Sequence, residues 1–141
     1  AATTAPHTGQ AWEPYTQARF DALRAEGKPV FVNFTAAWCI TCLANEKVAL
    51  SRPEVEAAFR KAGITYLKGD WTNKDPQISA HLADFGRSGV PLYLLYPAGP
   101  ADRSAVQVLP QLLTPATVLA AIDHAAVQSL TSLPSSSLAK E

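Results

Sequence analysis

The sequence is poor in cysteine, in net charge and in long apolar runs, and each shortage excludes a class of protein. Only two of its 141 residues are cysteines, too few for a small secreted scaffold held together by disulfides. Basic and acidic residues balance to a formal net charge of zero, so the composition offers no basic surface for nucleic acid or an anionic membrane. No apolar run approaches the roughly 18–20 residues needed to cross a bilayer.

Both cysteines fall in one motif, at the point where an apolar strand passes into a helix. Residues 30–35 predict a buried strand, and Cys39 and Cys42 follow it at the start of a helical pattern that extends to Leu50. A Cys-x-x-Cys at such a junction is typical of a redox-active dithiol. The helix N-terminus favours a Cys39 thiolate, and Cys42 lies one turn later, within reach of a disulfide. We therefore predict that Cys39 is the attacking thiol and Cys42 the resolving thiol.

The remaining patterns predict an α/β domain whose helices and strands alternate in the first half of the chain. The predicted elements are helix 15–26, strand 30–35, helix 39–50, helix 51–62 with Ser51 as N-cap, strand 64–69, helix 77–85, strand 90–96, edge strand 104–109 and helix 114–128. This order is that of a thioredoxin-like fold, a central mixed sheet with helices on both faces. The predicted domain covers residues 11–128, between a flexible lead-in (1–10) and a flexible tail or linker (129–141).

Four ordered segments carry a more specific pattern. They are Phe34–Cys42 with Asn45–Lys47, Asp70–Pro76, Phe85–Tyr93 and Val108–Thr114. Together they resemble the C-terminal periplasmic domain of the DsbD-type transmembrane thiol–disulfide reductases. The resemblance implies that Cys39 is the exchanging cysteine, Cys42 the resolving cysteine and Pro91 the cis-proline opposite the active site.

Asn33 departs from that family pattern, because many members carry an aspartate at this position beneath the cysteines. In the family this carboxylate handles the proton of the resolving thiol and raises the pKa of the attacking cysteine. Asparagine cannot titrate, so we predict a less elevated pKa for Cys39 and a replacement carboxylate at Glu46, four residues after Cys42. Two alternatives stay open: Glu46 as a solvated helix residue, and Asn33 as a hydrogen-bonded core residue.

Trp38 and Pro91 are the other two predicted site residues. Trp38 precedes the motif and is expected to pack beside it and offer an apolar contact to partners, with plain core packing as the alternative. A cis Val90–Pro91 bond would leave the Val90 backbone available to an extended partner segment, whereas a trans proline at a strand start is the alternative. His81 lies on a predicted helix and is expected at the surface.

The cysteine motif and the predicted fold indicate a thiol–disulfide oxidoreductase. The resemblance implies a reducing relay in the bacterial periplasm that is part of, or tethered to, an inner-membrane protein. The resemblance implies a transmembrane relay domain as electron donor and a periplasmic thioredoxin-like or DsbD N-terminal-type domain as acceptor. We expect a monomer with no nucleic-acid partner and no cofactor beyond the Cys39–Cys42 disulfide. The alternatives are a periplasmic disulfide oxidase or isomerase, and a non-redox binding module. A zinc site is disfavoured, since it needs four ligands and the three histidines show no paired spacing.

Overall fold

The structure is a computed structural model that describes residues 12–99 and 105–131, without the side chains of residues 128–131, and its centre is a mixed sheet. The strands are β1 Trp12–Pro14, β2 Val30–Thr35, β3 Thr65–Asp70, β4 Leu92–Tyr96 and β5 Gln107–Val108. They lie in the order β1-β3-β2-β4-β5, with β3 parallel to both β1 and β2, and β4 antiparallel to β2 and β5.

Helices cover both faces of this sheet, and local sequence signals mark where most of them begin. They are α1 Gln17–Ala25, α2 Ile40–Asn45, a π-helical segment Glu46–Leu50 that continues α2, α3 Pro53–Lys61, α4 Pro76–Asp84 and α5 Pro115–Thr131. The side chains of Thr16 and Asp75 accept backbone N–H bonds at the starts of α1 and α4. Proline opens three of these helices, a position where its missing N–H costs nothing.

Strand β2 lies at the centre of the sheet, and all six of its residues are buried. Phe31 packs on one face with Phe59 and Tyr93, while Phe34 on the other face packs with Leu67. Each large apolar side chain buried in this way contributes about 1.5–3 kcal/mol. The predicted thioredoxin-like arrangement is confirmed, and its double-sided core fixes the end of β2 from which the cysteine motif emerges.

The first strand was not predicted from the sequence. Helix α1 begins at Gln17 rather than at residue 15, and Trp12–Pro14 form β1. Three residues are too few to show a strand period, and β1 exists because it pairs with β3, where the Tyr15 N–H also donates to the Lys68 carbonyl at 2.9 Å. Strand β5 is shorter than the predicted 104–109, and residues 100–104 of this region lie outside the described part of the chain.

Two helix boundaries also differ from the prediction. Arg52, not Ser51, is the N-cap of α3, because the Ser51 hydroxyl donates to the Glu46 carbonyl at 2.7 Å at the end of the π-helical segment. Helix α5 continues to Thr131, three residues past the predicted domain end, since no proline or glycine interrupts the chain before Pro134. The predicted lead-in (1–10) and the rest of the predicted tail (132–141) lie outside the described residues.

His81 is buried, so the prediction of a surface residue was wrong. Its side chain is only 6% exposed; Nδ1 lies 2.8 Å from the Tyr15 hydroxyl and Nε2 lies 3.0 Å from the Tyr96 hydroxyl. The helical spacing of Ile78, His81 and Leu82 turns all three toward the sheet. Two tyrosines that are distant in sequence supply the partners that make this burial tolerable.

Gly69 in β3 occupies a position where a side chain would collide with the core. A Cβ atom there would lie 2.7 Å from Phe34 Cδ1 and 3.0 Å from Ile78 Cδ1. We expect Gly69→Ala to lower the free energy of unfolding, measured with urea, by about 1–3 kcal/mol. Gly89→Ala is the matched control, because no heavy atom lies within 4 Å of its added Cβ, and it should stay within about 0.5 kcal/mol of the parent. Equal losses in both variants would contradict this steric account.

Candidate active site

Cys39 and Cys42 form a disulfide at the start of α2. Their Cα atoms are 5.2 Å apart, and Cys39 is the N-cap residue, whose Sγ accepts the Cys42 N–H at 3.1 Å. The two sulfur-bearing residues differ in access, since Cys39 is 8% exposed and Cys42 is fully buried. An incoming thiolate or disulfide can therefore reach the pair only from the Cys39 side, which agrees with the predicted roles of attacking and resolving thiol.

A short turn between β2 and α2 delivers the cysteines to this position. The Cys39 N–H donates to the Ala36 carbonyl at 3.1 Å, and the Leu43 N–H donates to the Cys39 carbonyl at 3.1 Å. Ala36 is buried against both cysteines, with the half-buried Val90 packed on the same cluster. A small residue is needed at position 36 because its side chain is buried against both cysteines.

The Val90–Pro91 peptide bond is cis. Pro91 leads into β4, which pairs with β2, and Val90 contacts the cluster that contains both cysteines. The Arg87 Nη1 donates to the Pro91 carbonyl at 3.3 Å. The structure therefore brings the predicted proline segment and the cysteines together at one end of the sheet.

Trp38 lies at the surface beside Cys39, so it is not a core residue. Its side chain is 51% exposed, and the neighbouring Ile40 and Leu43 are 81% and 50% exposed. The indole Nε1 donates to the Thr72 carbonyl at 3.1 Å, which fixes one edge of the ring. The three apolar side chains give the accessible cysteine an apolar surround.

Asn33 lies within the core, on the face of β2 that packs under α2. It is fully buried, and its Nδ2 donates to the Tyr66 hydroxyl at 3.0 Å, while its Oδ1 has no hydrogen-bond partner among the described residues. Burial raises the pKa of Tyr66, and burial likewise raises the pKa of the neighbouring Tyr93 to about 12. Asn33 is thus a core polar group with one hydrogen bond, to a neutral hydroxyl.

Glu46 is not a solvated helix residue, because its side chain is only 21% exposed. Its Oε1 accepts a bond from the Lys68 Nζ at 2.9 Å, and Lys68 in turn lies 4.8 Å from the centre of the Trp12 ring. The second oxygen, Oε2, is buried and has no partner among the described residues. A cavity of about 550 Å³ adjoins this ion pair and reaches Ala37 and Leu43 beside the cysteine motif.

Comparison with known proteins decides the family. The model of the thioredoxin-like family matches residues 11–98, which is more than half of the chain. The chain belongs to the thioredoxin-like family.

Individual relatives make the likeness more specific. Thiol:disulfide interchange protein DsbD 1 of Pseudomonas aeruginosa is 31% identical over 112 residues, which is 76% of this chain and 19% of the relative. DsbD of Klebsiella pneumoniae is 33% identical over 85 residues, 60% of this chain and 14% of that protein. The chain therefore spans less than a fifth of the length of these relatives. The oxidised C-terminal domain of Neisseria meningitidis DsbD has the same fold, with a TM-score of 0.61, 23% identity, and coverage of 80% of this chain and 97% of that one.

For this thioredoxin-like chain, the predicted resemblance to DsbD and the predicted thiol–disulfide oxidoreductase chemistry are confirmed at this general level. Within residues 12–99 and 105–131, no three His, Cys, Asp or Glu side chains are grouped so as to hold a metal ion. The same part of the chain contains no helix both long and apolar enough to span a bilayer.

Sequence reasoning missed three residues that contact predicted site residues. Lys68 pairs with Glu46, and both Thr72 and Lys74 contact the Trp38 indole. Lys68 is the one charged residue in the interior of an apolar strand, so its burial beside a carboxylate was open to inference. Thr72 and Lys74 lie in a segment whose composition predicts only a loop. Nothing local in the sequence indicates that this loop lies against the cysteine turn.

Proposed function

We propose that this domain is a reducing electron relay in the bacterial periplasm. It accepts two electrons from a dithiol of a membrane-embedded donor domain and reduces a disulfide of a periplasmic thioredoxin-like partner. The observation that carries this proposal is the Cys39–Cys42 disulfide, open to a partner only at Cys39, in a domain that resembles a segment of DsbD. Attachment to an inner-membrane protein belongs to the same proposal.

The exchange proceeds through one mixed disulfide. In the reduced domain, the Cys39 thiolate attacks a sulfur of the partner disulfide; a new S–S bond forms, and the first partner sulfur leaves as a thiolate. The Cys42 thiolate then attacks the Cys39 Sγ, which re-forms the internal disulfide and releases the second partner sulfur. Two electrons pass from the domain to the partner, and the donor dithiol reverses both steps to restore the reduced domain.

The buried Cys42 thiol must lose its proton before it can attack, and we assign the acceptor role to Glu46. The Glu46 N–H donates to the Cys42 carbonyl, so the two residues stand one helical turn apart. The Glu46 Oε2 has no partner in the described part of the chain, while Oε1 accepts a bond from Lys68. The adjoining cavity has room for several water molecules, at roughly 30 Å³ each, and these would carry the proton onward. Asn33 cannot take this role because an amide does not titrate.

Trp38 and the cis Val90–Pro91 segment are assigned to partner contact. Both adjoin the accessible cysteine, one through an exposed indole and the other through a backbone next to the cysteine cluster. An extended partner segment that carries the target disulfide would add to the chain beside Pro91, with side chains packed on the apolar surround of Cys39.

The equilibrium reduction potential of the Cys39–Cys42 pair tests the direction of electron flow. We expect a reduction potential of about −270 mV, as for thioredoxin, when the domain is equilibrated with a glutathione or thioredoxin redox couple. Such a value lets the reduced form hand its electrons onward. A potential near about −120 mV would instead make the domain a disulfide donor, and the reducing relay would be rejected.

A further inference from the structure

We propose that Thr72 and Lys74 are positioning residues that hold the Trp38 indole beside Cys39 as a preformed contact for protein partners. The inference rests on the proposed function, because such a contact matters only when Cys39 exchanges with a disulfide in a protein. Neither residue touches the disulfide, so each acts through Trp38.

Thr72 binds the cysteine turn at two successive residues. Its Oγ1 accepts the Ala37 N–H at 2.8 Å, and its carbonyl accepts the Trp38 Nε1–H at 3.1 Å. The Thr72 hydroxyl donates in turn to Asp70 Oδ1, which also accepts the Thr72 N–H at 2.9 Å. Asp70 thereby orients the threonine hydroxyl so that its lone pair faces Ala37. Thr72 therefore fixes both the backbone of the cysteine turn, at Ala37, and the Trp38 indole.

Lys74 joins the exposed indole to a buried one. Its Nζ lies 5.6 Å from the centre of the Trp38 ring and 5.1 Å from the centre of the Trp71 ring, both within the range of a cation–π contact. The ring centres are 6.0 Å apart. Trp71 is only 6% exposed, and its Nε1 donates to the Ser79 Oγ at 2.9 Å, so it forms the immobile side of the cluster.

The backbone of Lys74 supports this placement. Its φ is 56°, in the left-handed region that non-glycine residues seldom occupy, and its N–H closes a turn by donating to the Trp71 carbonyl at 2.9 Å. This conformation folds the loop back so that the lysine side chain returns over the two indoles.

A half-exposed indole that could rotate would have to be immobilised each time a partner binds, and this ordering weakens binding. Fixing Trp38 in advance removes that cost. The benefit is confined to partners large enough to touch the indole while their disulfide reaches Cys39. A small disulfide contacts only the Cys39 sulfur, so the rate at which it is reduced should not depend on Lys74.

The test compares Lys74→Met with Lys74→Arg, using insulin as the protein disulfide and hydroxyethyl disulfide as the small one, with dithiothreitol as reductant. Methionine keeps an apolar stem without the cation, and arginine keeps the cation–π contact. We expect Lys74→Met to raise KM for insulin about three- to fivefold at unchanged kcat, with hydroxyethyl disulfide reduced at the parent rate. Lys74→Arg should restore KM to within about twofold of the parent.

An NMR measurement on the indole N–H groups separates positioning from general destabilisation. In Lys74→Met and in Thr72→Val, the Trp38 Nε1–H should exchange with solvent faster than in the parent, while the Trp71 Nε1–H should not change. A parent domain that reduces neither substrate would refute the proposed function. A parent that reduces both, together with a Lys74→Met variant whose KM for insulin is unchanged or whose two activities fall equally, would refute the positioning role alone.

Discussion

We expect Cys39→Ser to lower disulfide reduction to the uncatalysed background, and Cys42→Ser to leave the domain covalently joined to its substrate. Serine in place of Cys39 removes the only sulfur that a partner can reach, because Cys42 is fully buried. Serine in place of Cys42 permits the first attack but removes the thiolate that resolves the mixed disulfide. With hydroxyethyl disulfide as substrate, intact-mass spectrometry should show the Cys42→Ser domain carrying one mercaptoethanol group, and steady-state assays should show no turnover in either variant.

The two cysteine variants are also controls for each other. Both remove the same bond and one sulfur atom, so any effect of losing the internal disulfide on the fold is shared, and far-UV circular dichroism should be similar for the pair. An adduct on Cys39→Ser with none on Cys42→Ser would reverse the two roles. Turnover retained by both would place the chemistry outside this motif and return the domain to the class of non-redox binding modules.

The sequence predicts those parts of the fold that a short stretch of neighbouring residues determines. The apolar run of β2 and the spacing of the two cysteines can each be read within a few residues of the sequence. Strand β1 has no such signal, because three residues become a strand only by pairing with β3. His81 shows the same limit, since its partners Tyr15 and Tyr96 lie on two other elements.

The active site divides in the same way. Cys39 and Cys42 are predicted because their chemistry lies in their spacing along the chain. The supporting contacts join distant segments: Thr72 is 34 residues from Trp38, and Lys68 is 22 residues from Glu46. The position of Lys68 in an apolar strand predicts that it has an anionic partner but does not say which one, and nothing in the loop sequence predicts the partner of Thr72, so both contacts are seen only in the folded chain.

The site differs from an aspartate-bearing one mainly beneath the disulfide. Asn33 is fully buried, its Oδ1 has no partner among the described residues, and the charge of Glu46 is balanced by Lys68. Neither Asn33 nor Glu46 therefore adds an uncompensated negative charge near the cysteine motif. The Asn33→Asp substitution tests whether the lack of a negative charge at position 33 sets the acidity of the Cys39 thiol.

We expect Asn33→Asp to raise the pKa of Cys39 in the reduced domain, since a buried anion disfavours a second anion nearby. Iodoacetamide alkylation of Cys39 at pH 7 should slow about five- to tenfold. Asn33→Leu is the control, because it changes the same buried position without adding a charge. The pH midpoint of its alkylation rate should equal that of the parent. The interpretation fails if Asn33→Asp titrates no higher than the parent.

Asn33→Asp should also make the domain less stable as the pH rises, because the introduced carboxyl is buried. Burial raises the pKa of the introduced aspartate above its unfolded value of about 3.9, so the native state favours the protonated form. Its penalty is therefore absent below that pH and grows as the pH rises through the folded pKa. Urea unfolding of Asn33→Asp should show a loss of about 3–5 kcal/mol at pH 7 and a smaller loss at pH 4, whereas Asn33→Leu should lose the same amount at both. A pH-independent loss in Asn33→Asp would mean that the introduced carboxyl has the same pKa in the native and unfolded states, so that burial does not penalise its charge, and the electrostatic account of position 33 would be rejected.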